Sequence, residues 1–289
     1  MYYSPLRYPG GKGKLAPFMK LILDKLGMHG GTYIEPFAGG AGIALDLLLT
    51  DTVDQIVIND LDKGIYSFWR AILNDTNRFI DRILNTDLSI DEWNKQKQIA
   101  ITQNRYSFEL GFAIFYLNRT NRSGIIKGGV IGGTDQKSEW KMDARFNRNE
   151  LSRRIQQIAL RKKDIILYNK DVGSLIVNYL NKFGEETFIY FDPPYFNKGN
   201  QLYLNYFNAH DHQRLHDLIQ QHCIGNWIVT YDDVPEIKQI YREWPMRTFD
   251  LNYSVAKKRT ASEIMFFQDI EMCPSNEQID ELKISINLR

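Results

Sequence analysis

Apolar residues at Leu15, Phe18, Met19, Ile22, Leu23 and Leu26 recur with a helical period, which predicts a helix over Lys14–Leu26. Glycines at Gly27, Gly30 and Gly31 break it, and TYIEPF from Thr32 reads as a short strand running into more glycines. Helix Gly42–Leu49, strand Gln55–Ile58 and a helix from about Leu61 to Leu73 follow. This alternation is the signature of an open α/β sheet. From about Thr76 to Asn149 it lapses. Polar helical stretches there lead into LNRTNRSGIIKGGVIGGTDQKSEWKMDARFNRNE, dense in Gly, Asn, Lys and Arg. The alternation resumes with helix Glu150–Arg161, strand Asp164–Leu167, a helix from Ser174, strand Thr187–Phe191, helix His210–Gln221 and strand Asn226–Thr230. Met246–Tyr253 and Ser262–Gln268, joined by the polar SVAKKRTA, read as an antiparallel hairpin at the sheet edge. The expected organisation is an α/β domain over 1–75 and 150–289, interrupted by a mainly helical insertion over 76–149.

Composition narrows this little. A chain of 289 residues, 43% hydrophobic and 25% charged, is an ordinary globular protein of one sizeable domain plus an insertion. The net charge of +1 leaves room for a local basic patch. Two cysteines make no disulfide framework. The N-terminal MYYSPLRYPGGKGKL lacks the apolar core of a secretory leader, and no apolar run reaches membrane-spanning length, so a cytoplasmic location is expected.

Chemistry enters at YIEPFAGGAGIAL, a strand, glycine turn and helix. Gly39, Gly40 and Gly42 let the backbone turn at positive φ and come close to a ligand, at a helix start rich in unpaired N–H groups. Asp60 ends the next strand about 20 residues on, where an acid accepts hydrogen bonds from ribose hydroxyls. A tight turn with no ligand is the competing reading of the glycines, and Asp60 in register favours a nucleoside. Glu35, just before the loop, would repel a pyrophosphate and suits a cationic ligand such as S-adenosylmethionine. YPGGKGK is no P-loop, because Leu15 follows Lys14 and no strand precedes it. Lys12 or Lys14 could pair with a carboxylate, against the plainer reading of a solvated basic turn.

The strand TFIYF ends in Asp192, Pro193, Pro194 and Tyr195. Two prolines donate no backbone hydrogen bonds and stiffen the exit. That rigidity would aim the Asp192 carboxylate and the Pro193 carbonyl at one amino group. Two acceptors on its two N–H bonds would localise a lone pair otherwise delocalised into a purine ring, and the acid would stabilise the developing cation. Tyr195 offers a face for a base. A proline-terminated core strand with an incidental aspartate is the plainer alternative.

On RYPGGKGK, EPFAGGAG and DPPY, in that order, the chain resembles the Dam-type, alpha-class DNA adenine-N6 methyltransferases. YLNRTNRSGI resembles a segment of that family's recognition insertion, and NYSVAKKRTASEI its C-terminal hairpin region. The resemblance runs from about Arg7 to Phe267. It implies a Rossmann-like S-adenosylmethionine-dependent methyltransferase fold, an inserted DNA target-recognition subdomain, double-stranded DNA as substrate and flipping of the target adenine. It further implies cofactor contacts from Tyr8, Lys12, Glu35, Phe37, Gly39, Asp60 and Asp171, although an aspartate at position 171 is also an ordinary helix cap. A prokaryotic or phage-encoded cytoplasmic enzyme is expected, with or without a restriction endonuclease acting on the same site, and no metal.

For the DNA side, Arg119, Asn121, Arg122, Ser123 and Lys127 combine charge with amide readers of the kind that recognise guanine and adenine edges. The basic helix RNRNELSRRIQQIALRKK either grips backbone or is a solvated face. His210, His212 and His216 share one helix without an acid or cysteine frame and are expected at the surface. Methylation of RNA adenine or of a protein amide is the rival enzymatic reading, the amide enzymes usually carrying Asn where Asp192 stands. A vestigial DNA-binding module conflicts with the intact DPPY. A nicotinamide oxidoreductase conflicts with Glu35 and lacks G-x-G-x-x-G.

Overall fold

A computed structural model describes residues 3–7, 12–196, 207–253, 259–281, 286 and 288. Its seven strands are β1 (Thr32–Glu35), β2 (Gln55–Asn59), β3 (Ile165–Tyr168), β4 (Thr187–Phe191), β5 (Asn226–Asp232), β6 (Met246–Tyr253) and β7 (Arg259–Phe267). They form one sheet in the order β3-β2-β1-β4-β5-β7-β6. Strands β1 to β5 are parallel, while β7 runs antiparallel to both β5 and β6. The edge hairpin anticipated from sequence is present, with β7 inserted next to β5 and starting at Arg259, earlier than the expected Ser262. Residues 254–258 of its polar join lie outside the described residues.

The helices are α1 (Ala16–Leu26), α2 (Gly42–Leu49), α3 (Lys63–Asn74), α4 (Thr76–Asn85), α5 (Ile90–Thr102), α6 (Phe108–Thr120), α7 (Arg148–Leu160), α8 (Val172–Asn178), α9 (Ala209–His222), α10 (Pro235–Ile240) and α11 (Asn276–Glu281). They cover both sheet faces, which is why β4 is buried at every position. Alternate strand residues point to opposite faces. Tyr33, Ile56 and Phe188 join one core with Phe18, Leu45, Phe68 and Trp69. Ile34, Val57 and Ile189 join the other with Leu175, Leu215 and Tyr241.

Helices α4 to α6, which fall where the insertion is expected, share their core with the sheet. Phe68 of α3 stacks on Phe115 of α6 with ring centroids 5.9 Å apart, and Phe79 of α4 meets both Phe68 and Phe115 edge-on. Gly111 permits the contact between α3 and α6. A Cβ there would lie 2.5 Å from the Ser67 carbonyl oxygen. Helix α6 and the loop that leaves it are therefore fixed to the helix that follows Asp60.

Candidate active site at the switch point of the sheet

Chain connections leave β1 toward β2 on one side, and β4 continues to β5 on the other, so the switch point at which open α/β sheets bind ligands lies at the carboxyl ends of β1 and β4. Glu35 ends β1, and Asp192 follows β4 directly. The two acids expected from separate motifs thus stand on neighbouring strands.

In the glycine loop the positive φ falls on Gly39 and Ala41, both at +47°, and not on Gly40 or Gly42. Gly42 is instead closely approached by backbone. A Cβ there would sit 3.3 Å from the Gly13 Cα. Gly39 is gripped from both ends, its N–H donating to Asp60 Oδ2 at 2.9 Å and its carbonyl accepting from the Trp69 indole at 2.9 Å. Trp69 was not anticipated; its only sequence signal is that a buried indole N–H needs an acceptor.

Glu35 Oε1 accepts the Ala44 N–H from the first turn of α2 at 2.9 Å. Burial pushes this carboxyl up to about 8, opposed by the Ala44 bond and reinforced by the Asp192 charge. Burial, then the Asp62 charge, push Asp60 up to about 7, against hydrogen bonds from the Asp62 and Gly39 N–H groups. Phe37 is half-buried and meets Phe207 edge-on at 5.8 Å. Asp171 sits past the end of β3 and caps α8, accepting from Gly173 at 3.0 Å and Ser174 at 3.3 Å. Tyr8 lies outside the described residues.

Asp192 is the centre of a buried polar network. Its Oδ1 accepts from the Thr230 hydroxyl at 3.0 Å and lies 3.3 Å from Lys12 Nζ. Thr230 spends its proton on Asp192, so Tyr190, 2.8 Å away, donates to Thr230. Among the described residues Asp192 Oδ2 has no hydrogen-bond partner. Burial raises this carboxyl above the usual range, Lys12 pulls it down and Glu263 pushes it up. Lys12 also lies 2.9 Å from Glu263 Oε2 and donates to the Tyr195 hydroxyl at 2.7 Å, and that hydroxyl donates to Glu263 Oε1 at 3.0 Å. Beyond the prolines, the Phe196 N–H is held by Asp232 Oδ1 at 2.9 Å, which pins the exit of the strand. Pro193 and Pro194 bridge these two anchored points.

The residues expected to contact DNA divide. Arg122, Ser123 and Lys127 are exposed on a tight loop, with Ser123 at a φ of +56°. Asn121 is fully buried, and this corrects the expectation that it reads a base. Its Oδ1 accepts from the Trp93 indole at 2.7 Å, and its Nδ2 donates to the Ile125 and Ile126 carbonyls. It builds the loop instead. Arg119 is half-buried, and its Nε donates to the Arg145 carbonyl at 2.7 Å. Burial and the neighbouring charges of Arg7, Arg154 and Arg145 press its guanidinium down to about 9. Arg154, from the basic helix α7, is paired with Glu150 and donates to the Ser4 carbonyl at 3.0 Å. A cluster of arginines rich in positive charge therefore lies behind the exposed loop.

The histidines of α9 also depart from expectation. His212 and His216 are buried, packing against Tyr231 and Trp244 respectively, and His212 Nδ1 lies 3.0 Å from the Tyr231 hydroxyl. Burial lowers His212 to about 4. The signal for this is that the two histidines lie four residues apart, one helical turn, on the face that carries Leu215 and Ile219. Among the described residues there is no group of histidines, cysteines and acids able to hold a metal, and no helix long and apolar enough to cross a membrane.

Residues 8–260 match the family model described as D12 class N6 adenine-specific DNA methyltransferase. The Type II methyltransferase M.MjaIII of Methanocaldococcus jannaschii is 24% identical over 236 residues, covering 73% of this chain and 76% of that protein. The crystal structure of protein LPL1258 from Legionella pneumophila aligns over 96% of this chain and 95% of its own, with a TM-score of 0.34 and 11% identity.

Proposed function

The chain belongs to the D12 class N6 adenine-specific DNA methyltransferases, and from that premise we propose how its own residues carry the reaction. The methyl donor in this reading is S-adenosylmethionine, which supplies an electrophilic methyl on a sulfonium. Tyr8, Glu35, Phe37, Gly39, Asp60 and Asp171 would hold it, while Lys12, expected among them from the sequence, pairs with Asp192 and Glu263. The donor set fits such a molecule. Glu35 and Asp60 are carboxyls raised by burial, and a cationic ligand carrying ribose hydroxyls would relieve both.

Asp192 Oδ2 and the Pro193 carbonyl would accept the two N–H bonds of the target amine. The carboxylate would stabilise the positive charge growing on that nitrogen as it is methylated. Tyr195, its hydroxyl held by Lys12 and Glu263, would present its ring to the base. The adenine amine is enclosed in a duplex, so the base must leave the stack to reach Asp192. Arg119, Arg122, Ser123 and Lys127 would meet the double-stranded DNA, with Arg7, Arg145 and Arg154 adding charge behind them. Asn121 would act by shaping this loop. A restriction endonuclease acting on the same site, as the Type II designation of the relative suggests, and a cytoplasmic location belong to the same proposal.

One observation carries this reading above the others. Asp192 has Oδ1 anchored by Lys12 and Thr230 at the switch point of the sheet, leaving Oδ2 for a substrate. Expression in a methylation-free host, followed by single-molecule mapping of N6-methyladenine, tests it. Modification at one short sequence, lost in Asp192→Ala, is expected. Unmodified DNA from a host making folded protein would contradict it.

A further inference from the structure

We propose that Lys12 and Glu263 are positioning residues for Asp192. The Lys12 ammonium, clamped between two carboxylates, fixes which Asp192 oxygen meets the target amine, and Glu263 offsets the positive charge that Lys12 would otherwise direct at it. The inference rests on Asp192 being the acid that holds the amine. It gives Lys12 a role at the reacting end of the site, in place of pairing with the carboxylate of a cofactor.

The three groups come from distant parts of the chain. Lys12 opens the short 3₁₀ turn Lys12–Leu15 before α1, Asp192 follows β4, and Glu263 lies within β7 opposite Asp232 of β5. The side chains of Lys12 and Glu263 are each 2% exposed, while that of Asp192 is 23% exposed. A buried ammonium persists only when it is paired. Here Glu263 Oε2 at 2.9 Å, Asp192 Oδ1 at 3.3 Å and the Tyr195 hydroxyl at 2.7 Å are enough to take its three N–H bonds. Glu263 binds Lys12 with one oxygen and Tyr195 with the other, so a single acid on β7 orients both neighbours of the target base.

Charge makes the arrangement more than a scaffold. Methyl transfer places positive charge on a nitrogen bound to Asp192, and a lone lysine beside that acid would oppose it. With Glu263 present, the trio carries one positive and two negative charges. Asp192 is also faced by Thr230 and Tyr231 from β5, Tyr190 on its own strand and Tyr33 and Glu35 from β1. None of these supplies a second cation. Removing Lys12 leaves Asp192 against an unneutralised Glu263, which favours its protonated form. Removing the Glu263 charge does the reverse.

The test is single-turnover methylation against pH, with cofactor affinity by calorimetry, for the parent, Lys12→Met, Glu263→Gln and the double variant. Lys12→Met should slow methylation and move the acid limb of the profile to higher pH. Glu263→Gln, which can keep the bond to Tyr195, should slow it by roughly tenfold to a hundredfold and move the limb to lower pH. The double variant should be faster than Lys12→Met, and cofactor affinity should be parental throughout. Glu263→Gln alone carries the test if Lys12→Met does not fold. Weakened cofactor binding by Lys12→Met with a parental rate at saturation would overturn the proposal, as would slower rates with an unmoved acid limb. A parental rate in Asp192→Ala would instead remove the underlying reading of the acid.

Discussion

The backbone N–H of Gly39 donates to Asp60 Oδ2 at 2.9 Å, so the glycine loop and the acid at the end of the next strand form one unit. Asp60 Oδ1 meanwhile accepts from Asp62, whose own side chain caps α3 through Gly64 and Ile65. The acid both shapes the loop and ties it to the helix on which the insertion packs.

Asp60→Ala should therefore weaken S-adenosylmethionine binding by roughly 1.5–3 kcal/mol, the worth of hydrogen bonds to a charged group. Asp60→Asn can still accept the Gly39 N–H and should lose less. Calorimetry above pH 8 on folded variants checks this, and unchanged affinity in Asp60→Ala would remove the acid from the site.

The same burial makes the ligand-free protein pH-sensitive. Glu35 is raised from 4.5 to about 8 and Asp60 from 3.8 to about 7, so the folded chain binds more protons than the unfolded one across this window. Their contribution to stability is fully present below the unfolded values and is lost as pH rises through the folded ones. Glu150, held at about 2 by Arg153 and Arg154, acts below this range. Burial of His212, lowered from 6.5 to about 4, opposes that loss up to about pH 6.5, so we expect Tm to fall between about pH 6.5 and 8 and Glu35→Gln to flatten the fall. An equal slope in parent and Glu35→Gln would show that Glu35 ionises normally.

Arg119→Ala with Arg122→Ala should weaken DNA binding and flatten its dependence on salt, leaving cofactor affinity intact. Asn121→Ala should act differently. It strips partners from the Trp93 indole and from two half-buried loop carbonyls, and should lower Tm before it alters any sequence preference. Parental affinity and salt slope in the arginine double variant would move the DNA surface elsewhere.

What the sequence made legible was local. TFIYF followed by Asp-Pro-Pro-Tyr shows its strand and its stop in one reading frame, and the Gly39 loop with Asp60 shows a strand–turn–helix with an acid in register. Partners across the sheet were not legible. Glu263 is one acid in the apolar run ASEIMFF, and only the insertion of β7 beside β5 brings it to Lys12. Asn121 misled because an asparagine in a glycine-flanked basic loop reads alike whether it faces DNA or carbonyls. His212 and His216 misled because α9 turns that face onto Tyr231 and Trp244.

Methyl transfer turns on Asp192, and single-turnover methylation of duplex DNA, with a fluorescent base analogue at the target, tests this most directly. Asp192→Ala should abolish transfer while the protein still folds and flips the base. Asp192→Asn should be intermediate, because its amide oxygen accepts a hydrogen bond about half as strong as the charged one. Near-parental methylation by Asp192→Ala would contradict the mechanism.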